Sequence, residues 1–181
     1  MKSEMMAIYR GHVSDLYHAH TLAWEIAKRR DGIKRDFLFR YREQEDGGVL
    51  FHLRNTDIDV IFENGCELAF AIDVAPSLKG DNKTCRCSMV EQVSDWFSRQ
   101  AEMHGFQMLD GVFERRGTAR CPKKIDGKEI FFTAHLWMIR GRLKVVDAQK
   151  FKHALQHGIG RMKTFGQGMM VVAPSTLKGD R

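Results

Sequence analysis

The feature that most constrains this chain is a change of hydrophobic period made twice in the same order. "MMAIYRGHV" has strand character and stops at Gly11. "SDLYHAHTLAWEIAKRR" follows, with Ser14 or Asp15 as N-cap and Leu16, Ala19, Ala23, Ile26 and Ala27 at helical spacing. "RDFLFRYRE" then alternates as a strand, with Phe37 and Phe39 on one face and Leu38 and Arg40 on the other. Gly47 and Gly48 turn the chain into "VLFHLR", and "ELAFAIDVA", 67–75, reads as a further strand after an irregular "TDIDVIFEN". The order strand, helix, strand, strand, strand predicts a ferredoxin-like unit over residues 1–76.

"PSLKGDNKT" is polar and turn-rich, and marks the expected boundary. The theme then repeats over 77–181. "SMVEQVSDWFSRQAEMHG" predicts a helix with Val90, Val93, Trp96 or Phe97, and Ala101 inward, stopped by Gly105. Two strand-rich segments flank "CPKKIDGK", where Asp126-Gly127 predicts a hairpin turn. "DAQKFKHALQHG" is a helix capped by Asp147 and ended by Gly158, and "GMMVVAP" is a last strand. The fold class is therefore α+β, two tandem ferredoxin-like (RRM-like) domains, repeated in pattern and not in sequence.

Charge narrows the partners. The 181 residues carry a formal net charge of +6, which favours an anionic partner, nucleic acid or a membrane surface. No apolar run approaches a membrane span and no signal-peptide pattern opens the chain, so a cytoplasmic protein is expected. Cys66, Cys85, Cys87 and Cys121 are expected to be reduced, and the single residue between Cys85 and Cys87 is not zinc-knuckle spacing. His153 and His157 have metal-pair spacing but no evident third ligand, so neither a metal nor another cofactor is expected.

The stretch "HGIGRMKTFGQGMMVV" sets Gly158, Gly160, Gly166 and Gly168 around Arg161 and Lys163. It is not a Walker loop, because it runs from helix to strand and lacks the terminal Lys-Ser/Thr. The adjoining helix end carries carbonyls and repels phosphate. Attraction for an anion must come from Arg161, Lys163 and exposed amides, with the glycines permitting close approach of a polyphosphate backbone.

"GIGRMKTFGQGMMVV" resembles the glycine-rich motif of the CRISPR RNA-processing endoribonucleases, in particular the CasE family that serves Cascade. "SDLYHAHTLAWEIAKRRDGIKRDFLFRYRE" resembles the same family, in which a Leu-Tyr-x-x-His helix is followed by an Arg-Asp-Phe-Leu-Phe strand. The two motifs stand in the family's order and spacing. The chain departs in being somewhat short, and in having "DVAP" at 73–76 where relatives often have Arg-x-Asn-Pro.

The resemblance implies tandem ferredoxin-like domains that bind the stem-loop of a CRISPR repeat transcript and cut at the 3′ base of the stem. The reaction it implies is metal-independent: the 2′-hydroxyl attacks the adjacent phosphate and leaves a 2′,3′-cyclic phosphate. The product then stays bound among other effector-complex subunits. Such chemistry needs a base, an acid and cations on the transition state, and an ordinary imidazole, with pKa about 6.5, suits the proton work. By resemblance His20 is the catalytic histidine, Tyr17 on the same helix face orients the phosphate or assists proton transfer, and Lys163 clamps the phosphate with Arg161 beside it. His18 falls elsewhere on the helix. Arg115, Arg116, Arg120, Lys123, Lys124 and Lys128 lie in the hairpin that the resemblance places against the RNA stem. The alternative is an RNA-binding effector subunit without turnover.

Overall fold

The computed structural model describes residues 4–29, 36–79, 84–125 and 128–175. The element order is β1 (Glu4–Tyr9), α1 (Leu16–Lys28), β2 (Phe37–Glu43), β3 (Val49–Asn55), β4 (Glu67–Val74), a small hairpin β5 (Ser77–Lys79) and β6 (Thr84–Arg86), α2 (Val90–Met103), β7 (Phe106–Ile125), β8 (Lys128–Val145), α3 (Ala148–His157) and β9 (Val171–Pro174). The fold is α+β, with two antiparallel main sheets in tandem ferredoxin-like arrangement.

The first sheet has the order β1-β3-β2 and is backed by α1. Asp15 caps the helix by accepting from the His18 amide at 2.8 Å. Leu22 and Ala23 join Phe39, Phe51 and Leu53 in a compact core. The strand expected to close this unit does not do so. Strand β4, 67–74, pairs with β8 and β9 in the second sheet, whose order is β7-β8-β4-β9. Leu68, Phe70 and Ile72 accordingly pack with Phe97, Ile139 and Phe151. The second half is thus a full β4-α2-β7-β8-α3-β9 unit, whereas the first has only β1-α1-β2-β3 among the described residues. By strand pairing, 67–74 groups with the second half and not with the first sheet. The near-continuous apolar alternation of β4 fits either sheet, so pairing partner is not a local property.

One further expectation changes. Both Trp96 and Phe97 are buried, and Val90 is exposed because it sits in the first turn, beyond the reach of the core. Leu38 and Arg40 are buried as fully as Phe39, since the second domain covers the face that α1 does not. The contacts across that seam are polar as well as apolar. Asp73 on β4 accepts from both Arg42 (2.6 and 2.7 Å) and Arg40 (3.1 Å). Arg54 donates to the Met170 carbonyl at 2.7 Å. Burial pushes the Arg40 and Arg54 guanidinium pKa values down, so each needs its carboxylate or carbonyl partners to remain charged without loss.

The turn at Asp126-Gly127 lies outside the described residues. The hairpin itself is clear in backbone. Residues up to Arg115 and from Trp137 onward lie in the sheet; from Gly117 to Ile125 the pairing continues as a two-stranded ribbon over nine positions. At about 3.3 Å per residue the ribbon projects roughly 30 Å beyond the sheet. A register shift between Arg115 and Gly117 marks the root where it leaves.

Removing one partner from a buried ion cluster strands the others. Asp73→Ala is therefore expected to cost about 3 kcal/mol, and Arg42→Ala, whose side chain is partly solvated, less than half of that. Urea unfolding midpoints of the two variants against the parent chain give the comparison.

Candidate functional site

The glycine segment is a clasp between the domains. After α3, Gly158 adopts φ 71° as C-cap, and the chain crosses to a 3-10 turn at Lys163–Phe165 before entering β9. A Cβ on Gly160 would lie 3.0 Å from the Trp96 ring on α2, and one on Gly166 would lie 2.9 Å from Phe39 on β2. At Gly168 (φ +84°) a side chain would collide with the Ile159 carbonyl. Gly158, Gly166 and Gly168 are buried. Their amides are also spent inside the protein: Gly158 on Ala154, Gly166 on Lys163, Gly168 on the Asp73 carbonyl at 2.6 Å. These glycines shape the loop; the amide array that the sequence reading offered to phosphate is not open at those three positions.

What the loop presents is one carbonyl. Thr164 O accepts from Nδ1 of His20 at 2.6 Å, across 144 residues of sequence. A carbonyl can only accept, so Nδ1 carries the proton and Nε2 of the neutral ring keeps its lone pair. The imidazole is further held by rings at centroid distances of 5.9 Å (Phe165), 6.2 Å (Tyr17) and 6.4 Å (Trp24). This is the arrangement of an oriented base: one nitrogen anchored, the other free to take or return a proton. Tyr17 is 60% exposed beside it and can reach a bound ligand.

The two loop cations diverge. Met162 between them takes φ 63°, the left-handed region, and it is the only non-glycine to do so among the described residues. Arg161 lines a groove shared with the ribbon root. Lys163 precedes the Thr164 anchor, and its charge reaches His104 at the end of α2. Burial, with His153 and Lys163 adding to it, holds the His104 imidazole below its ordinary value. Neither Arg161 nor Lys163 has a carboxylate partner among the described residues.

Of the hairpin cations, Arg115 approaches Thr118 (3.5 Å) and His135 (3.4 Å), Arg116 pairs with Glu114 at 2.6 Å, and Arg120 lies 4.2 Å over the Phe131 ring. The side chains of Lys123, Lys124 and Lys128 lie outside the described residues. His18 bonds back to Ser14 at 3.3 Å, and His52 pairs with Glu4 at 2.9 Å. His153 and His157 rings are 4.3 Å apart, but among the described residues no group of three metal-capable side chains forms. No described helix is long and apolar enough to cross a membrane.

A model of the CRISPR associated protein family matches residues 56–174. The chain belongs to that family. A curated relative, the CRISPR-associated endoribonuclease Cse3 of Thermus thermophilus, is 31% identical over 90 residues, covering 44% of this chain and 41% of the relative. The match therefore spans less than half of that relative's length. Among solved structures, Cas6e of Escherichia coli K-12 superposes with a TM-score of 0.71 at 20% identity over 96% of this chain and 98% of its own. Thermus thermophilus Cse3 bound to an RNA representing a pre-cleavage complex superposes with a TM-score of 0.70 at 18% identity over 96% and 100%. The likeness places the fold of this family member with both.

The site missed by sequence reasoning is the Thr164 carbonyl, which every residue type possesses and no motif can announce. Gly168→Ala is expected to cost about 2–4 kcal/mol, from positive φ and collision together. Gly47→Ala, with φ +78° but nothing within 4 Å, is expected to cost about 1 kcal/mol. Thermal unfolding of the two variants separates backbone strain from close packing.

Proposed function

We propose that this CRISPR associated protein is a metal-independent endoribonuclease that binds a CRISPR repeat stem-loop and cuts it once at the 3′ base of the stem. The observation that carries the proposal is the His20 imidazole, anchored through Nδ1 to Thr164 O, with no hydrogen bond to Nε2 among the described residues. In the reaction Nε2 takes the 2′-hydroxyl proton, the 2′ oxygen attacks the adjacent phosphorus, and the 5′ oxygen leaves with a proton, giving a 2′,3′-cyclic phosphate and a 5′-hydroxyl. Tyr17 orients the phosphate beside the ring. Lys163 supplies the charge that balances the developing phosphorane, and Arg161, beside it in sequence, acts on the adjoining RNA backbone.

The ribbon engages the stem. An A-form major groove is too deep and narrow for most side-chain reading, so Arg115, Arg116 and Arg120, with Lys123, Lys124 and Lys128 further out, act on phosphates and the end of the stem. The RNA-bound relative with the same fold supports this substrate class. After cleavage the protein stays on its product as a subunit of an effector complex.

The test is single-turnover cleavage of a labelled repeat RNA in excess EDTA, beside a copy with a 2′-deoxy sugar just 5′ of the cut. The parent protein is expected to cut the first and not the second. His20→Ala is expected to abolish cutting with binding nearly unchanged. Lys163→Ala is expected to slow cutting and weaken binding, with the log–log salt slope shallower by about one unit because one phosphate contact is lost. Tight binding with no cut by the parent protein makes it an RNA-binding subunit and removes His20 from any mechanism.

A further inference from the structure

The groove at the ribbon root adjoins the His20 anchor without containing His20. Its volume is about 520 Å³, within the range of a pocket for one small ligand. Ala75, Pro76 and Ala134 line it, with Ala75 and Ala134 both buried. Phe132 comes from the ribbon and Phe165 from the clasp; Arg86 and Arg161 stand exposed at its edge, with His135 beside them. Among the described residues no carboxylate lines it. The chemistry asked of an occupant is thus a flat apolar body with negative charge attached.

Its position supplies the rest. Thr164 and Phe165 line the groove, and the same two residues hold His20, one by its carbonyl at 2.6 Å and the other by its ring at 5.9 Å. Whatever fills the groove is therefore a direct neighbour of the group on which His20 acts. A base paired and stacked in a stem cannot present its face to a side chain; an unpaired one can.

We propose that this groove is a nucleotide subsite, which takes one unpaired nucleotide flanking the scissile phosphate, its base against Phe132 and Phe165 and its phosphate against Arg86 and Arg161. The assignment rests on the endoribonuclease reading and adds a specificity element to it. The stem is held by the ribbon, the extruded nucleotide by the groove, and the bond between them is thereby presented to His20. Met162, in its left-handed conformation, lines the groove beside Arg161.

The test uses repeat RNAs with a single abasic sugar at each position flanking the cut, in turn, with parent protein, Phe132→Ala and Phe132→Trp. Binding affinity and single-turnover rate are both read, and melting curves confirm that the variants fold. At one position, loss of the base is expected to weaken binding or slow cutting of the parent by at least about fivefold, the low end of base–aromatic stacking. Phe132→Ala is expected to show a similar loss on intact RNA and no further loss on that abasic RNA, and Phe132→Trp to restore the sensitivity. Equal behaviour of all abasic RNAs, or undiminished sensitivity in Phe132→Ala, overturns the subsite. If the parent binds but does not cut, the nuclease reading fails, and the binding data still decide the subsite by the same criterion.

Discussion

The carboxylate of Asp73 is the contact on which the rest of the molecule depends. It sits on the second sheet, yet its oxygens are occupied by Arg40 and Arg42 of the first, and its own main-chain carbonyl receives the Gly168 amide of the clasp. Three parts are fixed by one residue: sheet, sheet and loop. A buried ion cluster gives little net stability compared with an apolar seam, but it tolerates only one register, because a shifted strand leaves a guanidinium without its partner. The first domain needs such a seam. Its sheet has three strands and one helix among the described residues, and the face opposite α1 is covered by the second domain instead.

From that seam the site follows. With β2 held to β4, Phe39 lies under Gly166 and Leu38 under Gly158, so the clasp has one path across the two domains. That path sets the Thr164 carbonyl 2.6 Å from His20 on α1. His20 belongs to the first domain and its carbonyl partner to the second, so the pair exists only while the domains are docked. The glycines serve this geometry. They let backbone meet ring and carbonyl where a side chain would not fit, and the positive charge is left to Arg161 and Lys163, which have different neighbours.

Much of this was legible from residue order. Asp15 and Asp147 announced their helices because an N-cap is a local bond. The long hairpin was visible from two strand-rich segments flanking Asp126-Gly127, and His20 stood out once the Leu-Tyr-x-x-His helix and the glycine motif were read together. Strand β4 was misplaced because an alternating apolar strand carries no label for its partner. That the face of Leu38 and Arg40 is buried was not legible, because periodicity reports that a strand has two faces, not what covers the second.

The sequence by itself determined the elements, their order, the basic character of the chain, and which ionisable side chains the helix and the glycine segment carry. These depend on neighbours within a few residues, through capping, turn chemistry and hydrophobic period. Only the tertiary structure decided which sheet β4 joins, that Asp73 locks Arg40 and Arg42 across the seam, that the clasp amides turn inward, and which nitrogen of His20 is free. Each of those is a bond between groups far apart in the chain, several of them to backbone atoms that all residues share, so no local pattern could encode them.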